Sequence, residues 1–208
     1  GETWQTTGLS FDIEELANVN EILINPENPN VLVAATNVGI YRSVDAAANW
    51  ELVSEVDNFK DMQTKVGDFN IIVASTYRRY YAGIKFYRST DGGASFSVIT
   101  AMSSDLYDSE RVTFANTPAN PNVFYALSSK GSNSSLEGVY KSNDAGATWT
   151  KLTDANTPDI IGYYYQLPGG QSWYNLSIVV SPTNADEVVV GGVHIWKSTD
   201  GGVNYTMI

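Results

Sequence analysis

One eleven-residue pattern recurs four times along the 208 residues and constrains the fold more than any other feature of the chain. Each copy reads apolar, aromatic, basic, Ser, any residue, Asp, any residue, Gly, two further residues and an aromatic residue. The copies begin at Ile40, Phe86, Val139 and Ile195, and their aspartates lie 46, 53 and 56 positions apart. A period near fifty residues predicts a repeated supersecondary unit that cannot bury its apolar faces alone.

The pattern carries the chemistry of a hairpin turn that is closed by its own side chains. The Asp carboxylate can accept hydrogen bonds from the backbone N–H groups that follow it, and the Gly can adopt a positive φ without steric cost. We call this turn the clasp. Structural roles are assigned to the following clasp residues: Ser43, Asp45, Trp50, Ser89, Asp91, Gly93, Phe96, Ser142, Asp144, Gly146, Trp149, Ser198, Asp200, Gly202 and Tyr205. Repeated Asp and Ser also suggest a metal site or catalysis, but a catalytic site is needed once and these residues recur. Ala47 replaces Gly in the first copy, which predicts mild strain or an altered turn.

A second recurring unit precedes three of the clasps and separates two predicted strands. Turns rich in Pro and Asn occupy 25–30, 117–122 and 181–186, and each leads into an almost wholly apolar run. The second repeat has a shorter link at 65–70 instead. In the first repeat, strands are predicted at 20–25, 31–36, 39–43 and 50–53, and no stretch of the chain has helical periodicity. The sequence therefore predicts an all-β fold, a β-propeller of about four four-stranded blades with the clasp between the third and fourth strands. The predicted blades cover 19–54, 62–100, 110–153 and 172–208.

These motifs resemble the Asp-box, or bacterial neuraminidase repeat, propellers. That superfamily includes sialidases, xyloglucanase-type glycoside hydrolases, the sortilin ectodomain and many large bacterial surface proteins. Residues 170–176 and 181–184 look closest to the surface proteins. The resemblance implies clasps at the blade periphery. It also implies export to the cell surface, with a C-terminal sorting signal of the type IX secretion kind.

Residues 1–4 have the form of the tail of another clasp, whose Asp would lie 46 positions before Asp45. We therefore expect residues 1–7 to be the last strand of a preceding blade. Further blades of the same longer chain are then expected before Gly1, after Ile208, or at both ends. Closure of four blades with a spare strand is the alternative.

Composition excludes several classes of partner. The net charge is −11, which disfavours nucleic acid and anionic membrane surfaces. No apolar run reaches the roughly 18 residues of a membrane helix, so no membrane insertion is expected. The chain has no cysteine, and His194 is its single histidine. No metal and no cofactor are expected.

One segment, 154–174, departs from the regularity of the repeats. It places five aromatic residues around a Pro-Gly-Gly turn, and they are candidate ligand-binding residues for a sugar or a peptide: Tyr163, Tyr164, Tyr165, Trp173 and Tyr174. The alternative is that these rings cover a blade interface or belong to a first strand. A second insertion at 77–81 contains Arg78 and Arg79, which suit carboxylate recognition or an exposed hairpin tip.

No catalytic residue can be assigned from the sequence. The Arg-Ile-Pro signature of sialidases is absent. A xyloglucanase-type enzyme needs two carboxylates across a cleft, roughly 6.5–9.5 Å apart if it inverts. The candidates outside the clasps sit in no motif of that family: Asp12, Glu14, Glu15, Asp105, Asp108 and Asp159.

Two functions remain open at this point. The first is a non-catalytic propeller module of a large exported protein, acting as a scaffold or as a binder of glycan or protein. The second is a glycoside hydrolase of the xyloglucanase type whose catalytic carboxylates lie partly outside these residues.

Overall fold

The computed structural model describes residues 2–12, 14, 16–77, 83–100, 106–153, 156–164 and 167–208. Within these ranges the regular structure is β-strand apart from single turns of 3₁₀ helix. The strands form four four-stranded antiparallel sheets and one two-stranded sheet. The prediction of an all-β propeller fold is confirmed.

The four large sheets, here called blades, follow one another along the chain. Blade 1 holds β1–β4 at Val19–Ile24, Leu32–Thr36, Gly39–Ser43 and Glu51–Ser54. Blade 2 holds β5–β8 at Phe59–Lys65, Asp68–Thr76, Phe86–Ser89 and Ser97–Val98. Blade 3 holds β9–β12 at Ser109–Asn116, Phe124–Lys130, Leu136–Ser142 and Thr150–Lys151. The small hairpin β13–β14, at Gly162–Tyr164 and Leu167–Gly170, precedes blade 4, which holds β15–β18 at Ser177–Val180, Val188–Gly191, Ile195–Ser198 and Thr206–Met207.

Each blade is a simple meander, and the first strands of successive blades lie side by side. The order β1-β2-β3-β4 is repeated in every blade, with antiparallel pairing throughout. Contacts between blades run from β1 to β5, from β5 to β9 and from β9 to β15. The first strands therefore line the central channel, as propeller geometry requires.

Apolar side chains from the second strands fill the space between blades. Three separate core clusters lie between blades 1 and 2, between blades 2 and 3, and between blades 3 and 4. Ile72 and Val73 are fully buried, and they point into different clusters because neighbouring residues of a strand face opposite sides. Burial of one such side chain stabilises the fold by about 1.5–3 kcal/mol. The blades are therefore held together by apolar layers, one between each pair.

The clasp is a compact set of short hydrogen bonds. In the third copy, Ser142 Oγ donates to Asp144 Oδ1 at 2.8 Å and accepts from Gly146 N at 2.9 Å. Asp144 also accepts from Thr148, through Oδ1 from the backbone N at 2.8 Å and through Oδ2 from Oγ1 at 2.6 Å. Trp149 folds back, and its Nε1 donates to the Gly146 carbonyl at 3.0 Å. The other three copies repeat the Ser and Asp bonds, with Asn49, Ser95 and Asn204 in the place of Thr148.

The basic residue of the clasp has a role that the sequence does not reveal. Arg42 Nε, in blade 1, donates to the carbonyl of Gly92 in the clasp of blade 2 at 3.0 Å. Arg88 Nε, in blade 2, donates to the carbonyl of Ala145 in the clasp of blade 3 at 2.9 Å. The clasps of blades 2 and 3 are thus each fixed by the preceding blade.

The structure differs from the sequence expectations at several boundaries. Residues 2–7 form no strand, because they pair with no neighbouring strand. Gly8, which follows them, donates from its backbone N to the Ala47 carbonyl of the first clasp at 2.8 Å. Blade 2 begins at Phe59 instead of 62. The first strand of blade 4 begins at Ser177, and the hairpin β13–β14 occupies part of the irregular segment before it. No helix in the described residues is long and apolar enough to span a membrane.

Replacing Asp144 by Ala should lower the free energy of unfolding by about 0.5–2 kcal/mol, because the turn loses a side-chain cap. Urea unfolding measures the change. The neighbouring variant Asn143→Ala is the control, since Asn143 is an exposed clasp residue outside this hydrogen-bond set, and it should unfold like the parent. Equal midpoints for the two variants would contradict the structural role of the carboxylate.

Candidate functional site

A cleft of about 550 Å³ opens at the end of the channel where the first strands begin. Residues from blades 1, 2 and 3 and from the segment before blade 4 surround it, and we call it the mouth. Its lining is predominantly polar, with three exposed or half-buried aromatic rings: Asn18, Asn20, Asn37, Asn58, Lys60, Tyr77, Arg111, Trp173 and Tyr174.

The rim of the mouth is a chain of hydrogen bonds that continues from blade 1 into blade 2. Asn37 N donates to the Asn18 carbonyl at 3.2 Å, and Asn18 N donates to Asn37 Oδ1 at 2.7 Å. Asn58 N then donates to the Asn37 carbonyl at 3.0 Å, and Tyr77 N donates to the Asn58 carbonyl at 2.6 Å. Because the backbone groups bond to one another, this rim is held in place without a ligand.

Two β-bulges turn polar side chains into the mouth. The pairing shifts register between Val19 and Glu21 in β1, and between Phe59 and Asp61 in β5. The extra residues are Asn20 and Lys60, both of which line the cleft. Lys60 Nζ donates to Asn20 Oδ1 at 3.0 Å, so the two bulges are also joined to each other.

Lys60 and Arg111 place two cations in the mouth. Burial and the nearby Arg111 charge lower the pKa of Lys60. Arg111, on β9, donates from Nη1 to the Trp173 carbonyl at 3.3 Å. The ion pairs between described residues involve other lysines, so neither cation is paired with a described carboxylate. Glu110, next to Arg111 in sequence, accepts a hydrogen bond from the Tyr77 hydroxyl at 3.2 Å.

Trp173 and Tyr174 form an aromatic wall on the side of blade 4. Their ring centroids are 4.4 Å apart at an interplanar angle of 68°. The side chains remain 54% and 50% exposed, which is high for rings of this size. The Tyr174 hydroxyl bonds to the Gln171 side chain. The wall thus exposes aromatic surface that a ligand can contact, and the Tyr174 ring is anchored through its hydroxyl group.

A polar layer lies one step deeper in the channel. Glu21, Asp61, Thr113 and Ser177 occupy the same register position in the first strands of the four blades. Asp61 accepts from Thr113 Oγ1 at 3.0 Å and from Phe114 N at 3.2 Å. Burial raises the pKa of Asp61 to about 7 and also raises the pKa of Glu21. Asp61 therefore braces blade 2 against blade 3.

The raised pKa of Asp61 in the polar layer would suit a general acid, but the carboxyl group is not accessible from the mouth. A carboxyl group that is half protonated near neutral pH is suited to proton transfer. However, both Asp61 oxygens are engaged by blade 3, and neither Asp61 nor Glu21 lines the mouth. The geometry favours a structural brace.

The structure separates the aromatic residues that the sequence groups together. Trp173 and Tyr174 line the mouth, whereas Tyr163 lies outside its lining, on β13, where its carbonyl is 3.1 Å from His194 Nε2. Tyr164 is also on β13, and Tyr165 lies outside the described residues. Of the second insertion, Tyr77 reaches the mouth, and 78–81 lie outside the described residues.

The carboxylates proposed from the sequence do not line the mouth where they are described. Asp12, Glu14 and Asp108 are absent from its lining. Asp159 Oδ1 accepts from Leu136 N at 2.9 Å, which ties the loop before β13 to β11, and burial raises its pKa. Glu15 and Asp105 lie outside the described residues. In the described part of the chain, no group of three or more His, Cys, Asp or Glu residues could hold a metal ion.

The sequence analysis missed most of the polar lining. Asn18 and Asn58 each stand directly before a first strand, and Asn37 and Tyr77 each stand directly after a second strand. An alignment of the repeats on their second strands would have brought these pairs together. Lys60 and Arg111 carry no such signal, because their positions depend on bulges and on closure of the blades.

Comparison with known proteins supports the architecture. No protein-family model matches the chain. A xyloglucanase of a Paenibacillus species is 22% identical over 243 residues, which take in 100% of this chain and 22% of that enzyme. The crystal structure of an ancestral GH74 enzyme has a TM-score of 0.74 at 20% identity and covers 100% of this chain and 27% of its own. The structure of YCF48 bound to D1 peptide has a TM-score of 0.58 at 16% identity, covering 100% of this chain and 58% of its own.

These similarities are too distant to carry activity from one protein to another. The chain spans about a fifth of the length of the xyloglucanase that it matches. A similar fold occurs in an ancestral GH74 enzyme and in YCF48 bound to a peptide, so the fold alone does not decide the function. What the comparisons and the sheet topology establish together is the fold: the chain is a run of four four-stranded β-propeller blades.

Proposed function

We propose that the chain is a glycan-binding, non-catalytic propeller module of an exported protein, and that the mouth holds the sugar chain. The observation that carries this proposal is the exposed ring of Trp173 beside a cleft lined by amide side chains. The apolar face of a pyranose stacks on an aromatic ring, and its hydroxyl groups need donors and acceptors placed around it. The mouth supplies both on one preformed surface.

The setting of the module is part of the same proposal. The four clasps have the residues and hydrogen bonds of Asp-box turns, which supports membership of that superfamily. The likeness to a xyloglucanase supports an extracellular location and contact with polysaccharide. The exposed apolar residues Ile22 and Ile24 on the outer face of blade 1 support packing against further blades of a longer chain.

Replacing Trp173 by Ala should weaken glycan binding about 10- to 100-fold, because the stacking surface is lost, while the melting temperature changes little. Isothermal titration against a panel of soluble polysaccharides identifies the ligand and measures the loss. Trp4→Ala is the matched control, since Trp4 is 92% exposed and lies outside the mouth. Equal loss in both variants, or none in Trp173→Ala, would refute the mouth as the site.

A second candidate function is hydrolysis of a xyloglucan-like polysaccharide, favoured by the alignment with the Paenibacillus xyloglucanase. Glu21 and Asp61 would then be the acids to examine, since both have raised pKa values in the channel. Release of reducing ends from xyloglucan, lost in both Glu21→Gln and Asp61→Asn, would establish this function and reject the non-catalytic one.

A further inference from the structure

The mouth has a charge opposite to that of the chain as a whole. The net charge of the sequence is −11, and yet two cations and no carboxylate line the cleft. Lys60 and Arg111 also repel each other, which contributes to the lowered pKa of Lys60. An anionic group between them would relieve this repulsion and replace the lost hydration.

We propose that the mouth selects glycans that carry a carboxylate, with Arg111 and Lys60 binding a uronate while its ring stacks on Trp173. This inference rests on the proposed function and names the ligand class of the same site. The Arg111 guanidinium donates from Nη1 to the Trp173 carbonyl, so the cation lies beside the residue whose ring would stack on the sugar. A guanidinium anchored at one edge retains N–H groups that suit a planar carboxylate.

The carboxylates nearest to the mouth are engaged elsewhere. Glu110 accepts a hydrogen bond from the Tyr77 hydroxyl. Asp61 accepts hydrogen bonds from Thr113 Oγ1 and Phe114 N of blade 3. Glu21 lies deeper, at the level of Asp61, and burial favours its neutral form. Asp61 attracts both Lys60 and Arg111 and so reduces the positive potential of the mouth, but no described carboxylate forms an ion pair with either cation.

The matched ligands for a test are an oligogalacturonate and its methyl ester, which share the same sugar chain; esterification replaces each carboxylate by a neutral methyl ester. The purified chain should bind the acid about 10-fold or more tightly than the ester at low salt, and the difference should shrink as salt is added. Sialyllactose is included because its carboxylate stands on a different sugar. Tighter binding of sialyllactose than of the oligogalacturonate would overturn the assignment to uronates.

Arg111→Gln and Lys60→Gln should each reduce the preference for the acid over the ester to about threefold or less, because the acid loses an ion pair that the ester does not form. Lys65→Gln is the matched control, because Lys65 lies on the same strand as Lys60, at the opposite end of β5. The Lys65→Gln variant should prefer the acid over the ester as strongly as the parent does. Thermal unfolding shows whether each variant is folded.

The outcomes separate the two proposals. Equal binding of acid and ester by the parent, or an unchanged preference in both mouth variants, overturns the selection for carboxylates and leaves glycan binding in place. Failure of the folded parent to bind any sugar in the panel overturns the proposed function and this inference with it.

Discussion

Replacing Asp61 by Asn should raise the free energy of unfolding at pH 8 by about 2–4 kcal/mol and should remove a loss of stability that the parent shows between pH 4 and 8. In the parent, burial between blades 2 and 3 raises the pKa of Asp61 from 3.8 to about 7. Asn keeps the size of the side chain and can accept from Phe114 N while it donates to the Thr113 hydroxyl. It has no charge to bury.

The direction follows from proton binding. Between pH 3.8 and about 7 the folded state keeps a proton on Asp61 that the unfolded state has released. The stabilising contribution of the neutral carboxyl is therefore complete below pH 3.8 and is lost as the pH rises through 7. At pH 8 the parent holds an ionised carboxylate between two blades, and the variant does not.

The clasp aspartates have the opposite effect on stability: they destabilise the fold when the pH is lowered. Hydrogen bonds from the clasp residues lower the pKa of Asp200 to about 2 and also lower the pKa of Asp45, while in Asp91 and Asp144 they outweigh an opposing effect of burial. Stability from these groups is present above pH 3.8 and is lost as the pH falls through their folded pKa values. The parent should therefore be most stable near pH 4 and lose stability steadily up to about pH 7, whereas Asp61→Asn should keep its stability from pH 4 to 8.

Urea unfolding at several pH values measures both curves. Glu27→Gln is the control, since Glu27 is an exposed carboxylate in the turn before β2, and its profile should follow that of the parent. A parent whose stability is flat from pH 5 to 8, or an Asp61→Asn variant that is less stable than the parent at pH 8, would contradict the brace described here.

The architecture was predictable because its chemistry is local. A clasp places Ser142, Asp144, Gly146 and Trp149 within eight consecutive positions, and its hydrogen bonds run between those same residues. Turn chemistry of this kind can be identified in the sequence before any tertiary contact is known. The spacing of the clasps then indicates one blade for each.

The mouth was only partly predictable, because its residues meet through tertiary contacts. Trp173 and Tyr174 stood out as aromatic residues in an irregular segment. Lys60 and Arg111 did not, since one is placed by a bulge and the other by the packing of blade 3 beside blade 2. A single sequence does not reveal a bulge directly, so Lys60 could not be distinguished from any other lysine in a first strand.

The contact of the later clasps with the preceding blade could not be predicted from the sequence either. It explains why the first clasp can have Ala47 where the other clasps have Gly. Gly93 and Gly146 lie against Val33 and Val73 of the preceding blades, and both glycines are buried. Ala47 adopts the same left-handed conformation, with φ of 69°, and its carbonyl accepts a hydrogen bond from Gly8 N instead of from a preceding blade. A methyl group is accommodated there at the cost of backbone strain, and the turn keeps the hydrogen bonds of the other copies.

Replacing Gly146 by Ala should lower the free energy of unfolding by about 2–4 kcal/mol. The residue has φ of +80°, which an L-residue adopts at a cost of roughly 1–2 kcal/mol. The new Cβ would also overlap Cγ1 of Val73, whose side chain is fully buried between blades 2 and 3. Relief of that overlap has to move the clasp away from the Arg88 hydrogen bond or move Val73 within a packed layer.

A double-variant cycle separates the two costs. Val73→Ala removes the overlapping methyl group, so Gly146→Ala combined with Val73→Ala should lose clearly less stability than the sum of the single variants. The backbone strain at φ +80° should persist in the double variant. Ala47→Gly tests the other side of the argument, because it relieves backbone strain where the clasp glycine position does not face a preceding blade. Its free energy of unfolding, measured in urea, should stay within about 1 kcal/mol of the parent. If Gly146→Ala also stays within that range, the clasp glycine serves only the turn and the contact between blades carries no energy at this point.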